Sequence, residues 1–207
     1  MNPSVGELRA EFGDCIGHSS VVCGDTIVYV GRDRIKDVLR WLRDTSDQQY
    51  NYLVDLTAVE YRDPERSIEL VYFLYSLARK AQLCVKVLLP KDQPLEVDSI
   101  VHLWQGANWL EREVYDMFGI TFQGHPDLRR ILMWDTYAEG HPLRKDFPLR
   151  GRFSRSEQVR QALNANPEAQ YSMEELSLAE AYNDLPEQMR ERLARGERAV
   201  IPDPAEG

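Results

Sequence analysis

Apolar and polar residues alternate along the first half of the chain in a way that predicts a β-sheet. Three β-rich runs predict strands: residues 50–57, 68–77 and 82–89. The last two runs are four residues apart, which is typical of a hairpin. Two earlier runs, residues 21–23 and 26–30, flank Gly24-Asp25 and predict another hairpin with this dipeptide as its turn.

Helices are predicted where apolar residues recur at spacings of three and four. Residues 4–12 predict a short first helix, and Asp33 is the expected N-cap of a second helix that ends near Arg43. A third helix ends at Gly119, a glycine of the kind that follows helix C-termini. Its apolar stripe consists of Leu103, Ala107, Leu110, Val114 and Met117. Before it, Asp98 or Ser99 is an expected N-cap, and residues 120–122 after it predict a short strand.

A cluster of polar residues lies off this stripe, within less than two turns: Glu111, Arg112, Glu113, Tyr115 and Asp116. An exposed pair between Arg112 and Asp116 would contribute only about 0.3–0.5 kcal/mol. Asp116 also lies in the last turn, where the helix dipole disfavours a carboxylate. A cation from outside the helix should compensate it, so we expect the following segment to fold back. The candidate cations are Arg129, Arg130, Arg144 and Lys145.

Two Gly-His-Pro triplets, residues 124–126 and 140–142, follow the third helix sixteen residues apart. Glycine permits a positive φ and proline extends the residue before it, so each triplet predicts a bend in an irregular arm. We therefore expect three regions: an α+β domain over residues 1–123, an extended arm over 124–150 and a C-terminal extension over 151–207. In the extension, Ser172 with Glu175 and, further on, Pro186 predict the starts of short helices. The expected fold is α+β, with a mixed or antiparallel sheet and helices packed on one face.

Charge and cysteine content exclude several function classes. The chain carries 34 acidic and 25 basic residues, a net charge of −9, which argues against nucleic acid or an anionic lipid surface as the main partner. Three cysteines without a CxxC pair are too few and too scattered for an iron–sulfur cluster or a structural zinc site. No run of about 18 apolar residues is present, so we expect membrane contact only through a partner.

The candidate chemistry has competing interpretations. Glu113 and Asp116 share one helix side and form a possible acid–base pair, but charged clusters of this kind are often structural. His125 and His141 lack metal-ligand spacing and are interpreted as turn histidines bonded to the backbone. The aromatic residues around the helix suggest core and interface rather than a quinone pocket: Trp104, Trp109, Tyr115, Phe118, Phe122 and Trp134. No glycine-rich phosphate loop occurs in the sequence.

Two segments resemble a known family. The string ANWLEREVYDMFGITFQGHPDLRRIL, followed by GHPLRKDFP, is similar to the signature of the thirty-kilodalton subunit family of the proton-translocating NADH:quinone oxidoreductase, respiratory complex I. The order of elements extends the resemblance to residues 20–149, and residues 150–207 lie outside it.

This resemblance implies a non-catalytic scaffold subunit of the peripheral arm, on the cytoplasmic face of the bacterial inner membrane. Its partners would be the large hydrogenase-related quinone-site subunit and neighbouring iron–sulfur subunits. FMN, iron–sulfur clusters and quinone are implied in the parent complex, while this chain is expected to bind no cofactor or metal and to lack catalytic residues. The expected interface or arm-docking residues are Glu111, Arg112, Glu113, Tyr115, Asp116, Gly119, His125, Pro126, Arg129, Arg130, His141, Pro142, Arg144, Lys145 and Asp146.

Three alternatives remain open at this point. The same module also suits a ferredoxin- or F420-dependent quinone oxidoreductase or a membrane-bound hydrogenase, because it does not touch the electron donor. A stand-alone acid–base enzyme would use Glu113 and Asp116 and show turnover as a purified monomer. A free-standing binding module or assembly factor would leave the mature complex once it is built.

Overall fold

The computed structural model describes residues 2–63, 65–149, 151–165 and 190. It divides into two units, residues 1–158 and 159–207, and the elements below belong to the first except for residues 159–165 of the last helix. In chain order they are α1 (Ser4–Phe12), β1 (Ile16–Val22), β2 (Asp25–Val30), α2 (Ile35–Asp44), β3 (Tyr52–Val59), β4 (Ile68–Ser76), β5 (Ala81–Leu89), β6 (Glu96–Asp98), α3 (Ala107–Phe118), β7 (Thr121–Gln123) and α4 (Arg155–Ala165).

Five strands form one mixed sheet in the order β1-β2-β5-β4-β3. Strand β2 runs parallel to β5, and the other neighbours are antiparallel. Strands β6 and β7 form a separate parallel pair. The expected α+β architecture is therefore confirmed, including the hairpin of β4 and β5.

The core lies between the helices and one face of the sheet. Alternate residues of the strands, such as Val28, Leu70 and Val85, are fully buried there. Leu39 of α2 and Val114 of α3 belong to the same cluster. The period of two in the strands and of about 3.6 in the helices brings these side chains to one side of each element.

The first hairpin turn differs from the prediction by one residue. Val22 pairs with Asp25, so the turn is Cys23-Gly24 rather than Gly24-Asp25. Both turn residues have positive φ, 52° and 94°, which is the geometry that matches the twist of a two-residue hairpin. Gly24 is therefore the second residue of the turn and not the first, which sets the pairing of β1 with β2 at Val22 and Asp25.

Two predicted N-caps were wrong. Asp33 caps nothing, because a 3₁₀ turn over Arg32–Arg34 precedes α2 and Asp33 pairs instead with its neighbour Arg32 at 3.5 Å. Asp98 ends strand β6, a strand that the sequence did not predict. Ser99 accepts the N–H of Val101 at 3.3 Å, but only a turn follows, and no α-helix begins before Ala107 in this described stretch. The helix starts predicted at Ser172 and Pro186 lie outside the described residues.

Candidate functional site: the arm and the helix that holds it

Helix α3 ends where the arm, residues 124–150, returns to it. Gly119 has φ 76°, and its N–H bonds to Tyr115 O at 2.9 Å, as expected for a left-handed C-terminal glycine. A Cβ atom at this position would lie 2.6 Å from the ring of His141. The glycine therefore provides both the helix stop and the space into which the arm packs.

Asp116 is the main anchor of the arm and has no exposed surface. Its Oδ2 accepts the backbone N–H groups of Ile131, Leu132 and Met133 at 3.0, 2.8 and 2.8 Å. Its Oδ1 accepts Arg130 Nη1 at 2.6 Å. Burial by itself raises the pKa of Asp116, but the N–H of Met133, the Arg130 guanidinium and the other two N–H groups outweigh it, so the pKa lies below its ordinary value.

These contacts confirm that the segment folds back, and they correct the pairing considered within the helix. Arg112 does not pair with Asp116. Its Nε donates to Arg129 O at 3.1 Å and its Nη2 donates to Arg130 O at 2.9 Å. Arg112 is itself buried, at only 5% exposed. The arm covers Arg112 and Asp116, which is why these two charges of α3 are not solvated.

The second Gly-His-Pro bend continues this packing. His141 Nδ1 lies 3.0 Å from Asp116 O, and its ring meets Tyr115 edge-on at 6.2 Å between centroids. Arg130 reaches the same bend, because its Nη2 donates to Gly140 O at 3.1 Å. In the first bend, His125 Nε2 lies 3.3 Å from Asn108 O. The interpretation of both histidines as turn residues bonded to backbone is confirmed.

A carboxylate from the sheet domain holds the end of the arm. Glu60, directly after β3, accepts the backbone N–H of Lys145 at 2.8 Å. It also pairs with Lys91 at 3.2 Å and with Arg144 at 3.4 Å, while its side chain is only 4% exposed. Arg144 therefore compensates Glu60 and not Asp116. The surrounding run, predicted to be extended, forms two consecutive turns closed by Arg144 N–H to His141 O and Phe147 N–H to Arg144 O.

Glu139 extends the anchoring beyond the arm. Its Oε2 accepts the backbone N–H groups of Arg152 and Phe153, and the residue is 3% exposed. Its Oε1 is buried and has no partner in the described part of the chain. Sequence reasoning missed both Glu60 and Glu139. The signal for Glu139 was its place directly before a Gly-His-Pro bend, whereas Glu60 is 85 residues away from the N–H that it accepts.

Glu111 lies on the other side of α3, among core residues. It has no exposed surface, and its Oε1 accepts the backbone N–H of Ile100 at 2.7 Å. Its Oε2 lacks a partner in the described part of the chain. Burial raises the pKa of Glu111 to about 7, although the Ile100 N–H and the Ser99 hydroxyl oppose this shift. The prediction that Glu111 serves the arm or a partner does not fit this position.

The other predicted residues lie on the surface or at its margin. Glu113 is exposed, so it does not converge with buried Asp116 on a common solvent-accessible site. Arg129 pairs with Asp127 at 2.8 Å in an exposed ion pair. Pro142 is half-buried, and three residues are exposed: Pro126, Lys145 and Asp146. No group of His, Cys, Asp and Glu residues suited to a metal ion occurs in the described ranges.

Part of the arm and of α3 presents large apolar side chains to solvent. The exposed ones in these segments are Trp109, Leu132, Leu143 and Leu149, from 50% to 104% exposed. Trp109 also lies 5.4 Å from the Arg112 guanidinium, measured to the ring centroid. Of the predicted aromatic set, Trp104, Phe118 and Phe122 are buried in the core instead. An ordered segment that is anchored inward by carboxylates and apolar outward is typical of an interaction surface.

Among the residues that the structure describes, no helix has the length and hydropathy of a transmembrane segment.

The family model for the 30 Kd subunit of respiratory-chain NADH dehydrogenase matches residues 28–153, which include most of the sheet, α3 and the whole arm. The chain belongs to this family. The match ends at residue 153, before α4, which is also where the contacts of Glu139 with the backbone of Arg152 and Phe153 end.

Relatives named as subunits of NADH-quinone oxidoreductase support this assignment. The chain is 48% identical over 142 residues to the relative from Roseiflexus sp. strain RS-1, which covers 69% of this chain and 80% of the relative. It is 43% identical over 151 residues to the relative from Geobacter sulfurreducens, covering 72% of this chain and 91% of the relative. The chain is thus homologous to subunits of an oxidoreductase complex that acts on NADH and quinone.

Two solved structures share the fold. One is a trypsin-resistant fragment of Nqo5, with 32% identity, a TM-score of 0.51 and coverage of 60% of this chain and 96% of the fragment. The other is a chain of the membrane-bound sulfane sulfur reductase, an archaeal respiratory membrane complex, with 24% identity and a TM-score of 0.58. It covers 70% of this chain and 85% of that chain, and it supports the fold alone.

Proposed function

We propose that this chain is a non-catalytic scaffold subunit of the peripheral arm of a proton-translocating NADH:quinone oxidoreductase. Its partners are the large hydrogenase-related quinone-site subunit and neighbouring iron–sulfur subunits, and it sits on the cytoplasmic face of the bacterial inner membrane. FMN, the iron–sulfur clusters and the quinone belong to other subunits of the complex in this proposal. Membrane contact is made through those subunits.

The single observation that carries the proposal is the anchored arm within the family segment. Asp116 and Glu60 fix the backbone of the arm from inside through four N–H groups. The same arm turns Leu132 and Leu143 outward, 61% and 50% exposed. Rigid presentation of apolar side chains lowers the ordering cost of association, which suits a scaffold.

The geometry does not favour the acid–base enzyme. Asp116 accepts four hydrogen bonds, and a general base needs a lone pair available to a substrate proton. Its pKa lies below the ordinary value, whereas an acid–base group is usually tuned towards the working pH. The neighbouring Glu113 is exposed and therefore lacks the burial that tunes catalytic carboxylates.

The test is affinity isolation of the tagged full chain in mild detergent, followed by mass spectrometry and an NADH:quinone activity assay. We expect iron–sulfur and membrane subunits to co-purify and the isolate to oxidise NADH. The same partners without NADH oxidation would reassign the module to a complex with another electron donor. Isolation of the chain alone would overturn the proposal.

A further inference from the structure

We infer that the cleft between the end of α3 and the second half of the arm binds a carboxylate side chain from an acidic segment of a partner protein. This inference rests on the proposed function, because it names the chemistry by which the arm recognises its partner. The cleft has a volume of about 230 Å³. Its lining residues are Phe118, Gly119, Gly140, His141, Arg144, Asp146, Phe147 and Arg152.

Arg144 is fixed in the cleft but keeps donor capacity. Glu60 holds its Nε at 3.4 Å, and its Nη1 donates to Phe118 O at 3.4 Å. Within the described part of the chain, its Nη2 donates no hydrogen bond. A guanidinium held along one edge presents its remaining N–H groups in a fixed direction, which is the geometry that recognises carboxylates.

Arg152 supplies the second cation. Its backbone N–H is held by the buried Glu139, while its side chain is 52% exposed. The carboxylate that pairs with its guanidinium is Asp146, at 3.8 Å. Asp146 is itself 69% exposed and lies 3.7 Å from Arg144. Pairs this long, with an exposed carboxylate, contribute little to stability, so a better-placed carboxylate from a partner can displace Asp146.

Charge and apolar surface around the cleft point to a protein ligand. The described cations at the cleft and its margin are Arg144, Lys145 and Arg152. The carboxylates beside them are the exposed Asp146 and the buried Glu60 and Glu139, and Glu60 is shared with Lys91. Lys145 is exposed, and its side chain has no partner in the described ranges. Next to these charges, Leu143, Leu149 and Phe153 are 50%, 104% and 41% exposed. Exposed or weakly paired cationic groups beside an apolar margin fit an acidic peptide segment better than a free small anion.

The first experiment compares two charge reversals in the full tagged chain, expressed with its complex. Arg152→Glu places a negative charge in the cleft, while Arg34→Glu makes the same change at the start of α2, outside the arm. Arg34 is a matched control because its side chain, like that of Arg152, is 52% exposed and its salt bridge is to the exposed carboxylate of Asp37. We expect Arg152→Glu to weaken co-purification of the partner at least tenfold, and Arg34→Glu to change it less than about twofold.

Equal effects of the two variants, including none, would overturn the inference. Thermal melting of each purified chain is recorded alongside, so that loss of fold is distinguished from loss of binding. If wild-type chain recovers no partner at all, the proposed function has failed. If the partner is recovered but the two variants do not differ, the proposed function stands and the assignment of the cleft as the carboxylate-binding site is wrong.

A second experiment does not depend on either arginine variant. A carbodiimide joins a lysine amine to a carboxylate in direct contact with it, and Lys145 lies between the cleft residues Arg144 and Asp146. In the isolated complex we expect Lys145 to couple to an Asp or Glu of a partner protein, and Lys145→Arg to abolish that product. Coupling to a second copy of this chain, or to nothing while other lysines react, would overturn the inference. Displacement of the partner by phosphate alone at low millimolar concentration would instead assign the cleft to small anions.

Discussion

Two carboxylates on α3 are equally buried but differ in their surroundings. Asp116 and Glu111 both have no exposed surface and lie little more than one turn apart. Asp116 accepts four hydrogen bonds from the arm, and its pKa lies below the ordinary value. Glu111 accepts one backbone N–H, keeps an oxygen without a partner in the described part of the chain, and has a pKa raised to about 7.

The difference shows that the donors around a buried carboxylate, and not burial itself, decide its charge. Desolvation is the largest influence on both groups and raises both pKa values. On the arm side, three N–H groups and a guanidinium reverse that effect. On the sheet side, Glu111 lies close enough to Tyr72 for its charge to raise the pKa of that tyrosine. The Tyr72 hydroxyl is buried and also has no hydrogen-bond partner in the described ranges. The arm and the charge of Asp116 therefore stabilise each other.

The largest expected effect is the loss of Asp116. Asp116→Ala should lower the free energy of unfolding by about 3–5 kcal/mol, because it leaves three N–H groups without an acceptor and the largely buried Arg130 guanidinium without its counter-charge. Urea unfolding followed by tryptophan fluorescence measures this change. Amide hydrogen exchange at Ile131, Leu132 and Met133 should accelerate in the same variant.

Asp116→Asn refines this prediction. The amide oxygen can still accept backbone N–H groups, but it no longer balances the charge of Arg130. We expect a loss between that of wild type and that of Asp116→Ala, with faster exchange again confined to the arm. If both variants unfold like wild type, the arm is held by other contacts and the comparison between the two carboxylates has no structural consequence.

The next effect is a pH dependence that belongs to Glu111. An unfolded glutamate titrates near 4.3, so between about pH 4.3 and 7 the folded state binds more protons than the unfolded state. The contribution of Glu111 to stability should therefore fall as pH rises through this window, by roughly 3 kcal/mol in total. Glu111→Gln should flatten the curve measured by urea unfolding from pH 5 to 8.

Asp116 has the opposite sign. Because its folded pKa is below the unfolded value, its contribution is fully present above about pH 4 and is lost as pH falls through the folded pKa. The two carboxylates are therefore distinguished by pH: of the two, only Glu111 should contribute a slope between pH 5 and 8. The lowered pKa of His102 adds a slope of the opposite sign that wild type and Glu111→Gln share, so the difference between their two curves reports Glu111. A wild-type curve that is flat in this window, and equal to that of Glu111→Gln, would contradict the prediction.

A smaller effect is expected at the contact between Gly119 and His141. Gly119→Ala should destabilise the chain by about 2 kcal/mol, because alanine is strained at φ 76° and its Cβ would meet the His141 ring at 2.6 Å. Gly106→Ala is the matched control, since a Cβ there meets nothing within 4 Å. Adding His141→Ala should recover the steric part of the loss, which a double-mutant cycle separates from the backbone part.

Periodicity predicted the sheet, the three helices that precede the arm and the glycine stop, because each of these depends on residues close in sequence. The four-residue connection predicted the hairpin of β4 and β5 for the same reason. Strand β6 was missed because three residues carry too little pattern, and its partner β7 lies beyond α3. The displaced first turn reflects a single residue, Cys23, that takes a positive φ without being glycine.

The sequence predicted that the arm folds back onto α3, but it did not predict which side chains pair there. A carboxylate in the last turn of α3 required an outside cation, and Arg130 provides it. Nothing local distinguished Arg130 from Arg144, because the choice depends on Glu60, which reaches the arm from the end of β3. The same limit explains Glu111 and Arg112. Helical spacing placed both off the apolar stripe, but the returning arm buries Arg112 and the turn at Ile100 covers Glu111.

The smallest expected effect is at Glu113, the carboxylate of α3 that the arm leaves exposed. Glu113→Gln should change the free energy of unfolding by less than about 0.5 kcal/mol, since an exposed side chain without buried partners contributes little. In the assembled complex it should leave the rate per complex unchanged, whereas the acid–base alternative requires a large fall in turnover. Activity per assembled complex, normalised by mass spectrometry of the subunits, decides between them. A selective loss of turnover at full assembly would restore Glu113 to the chemistry and show that exposure, and not burial, marks the functional carboxylate of this helix.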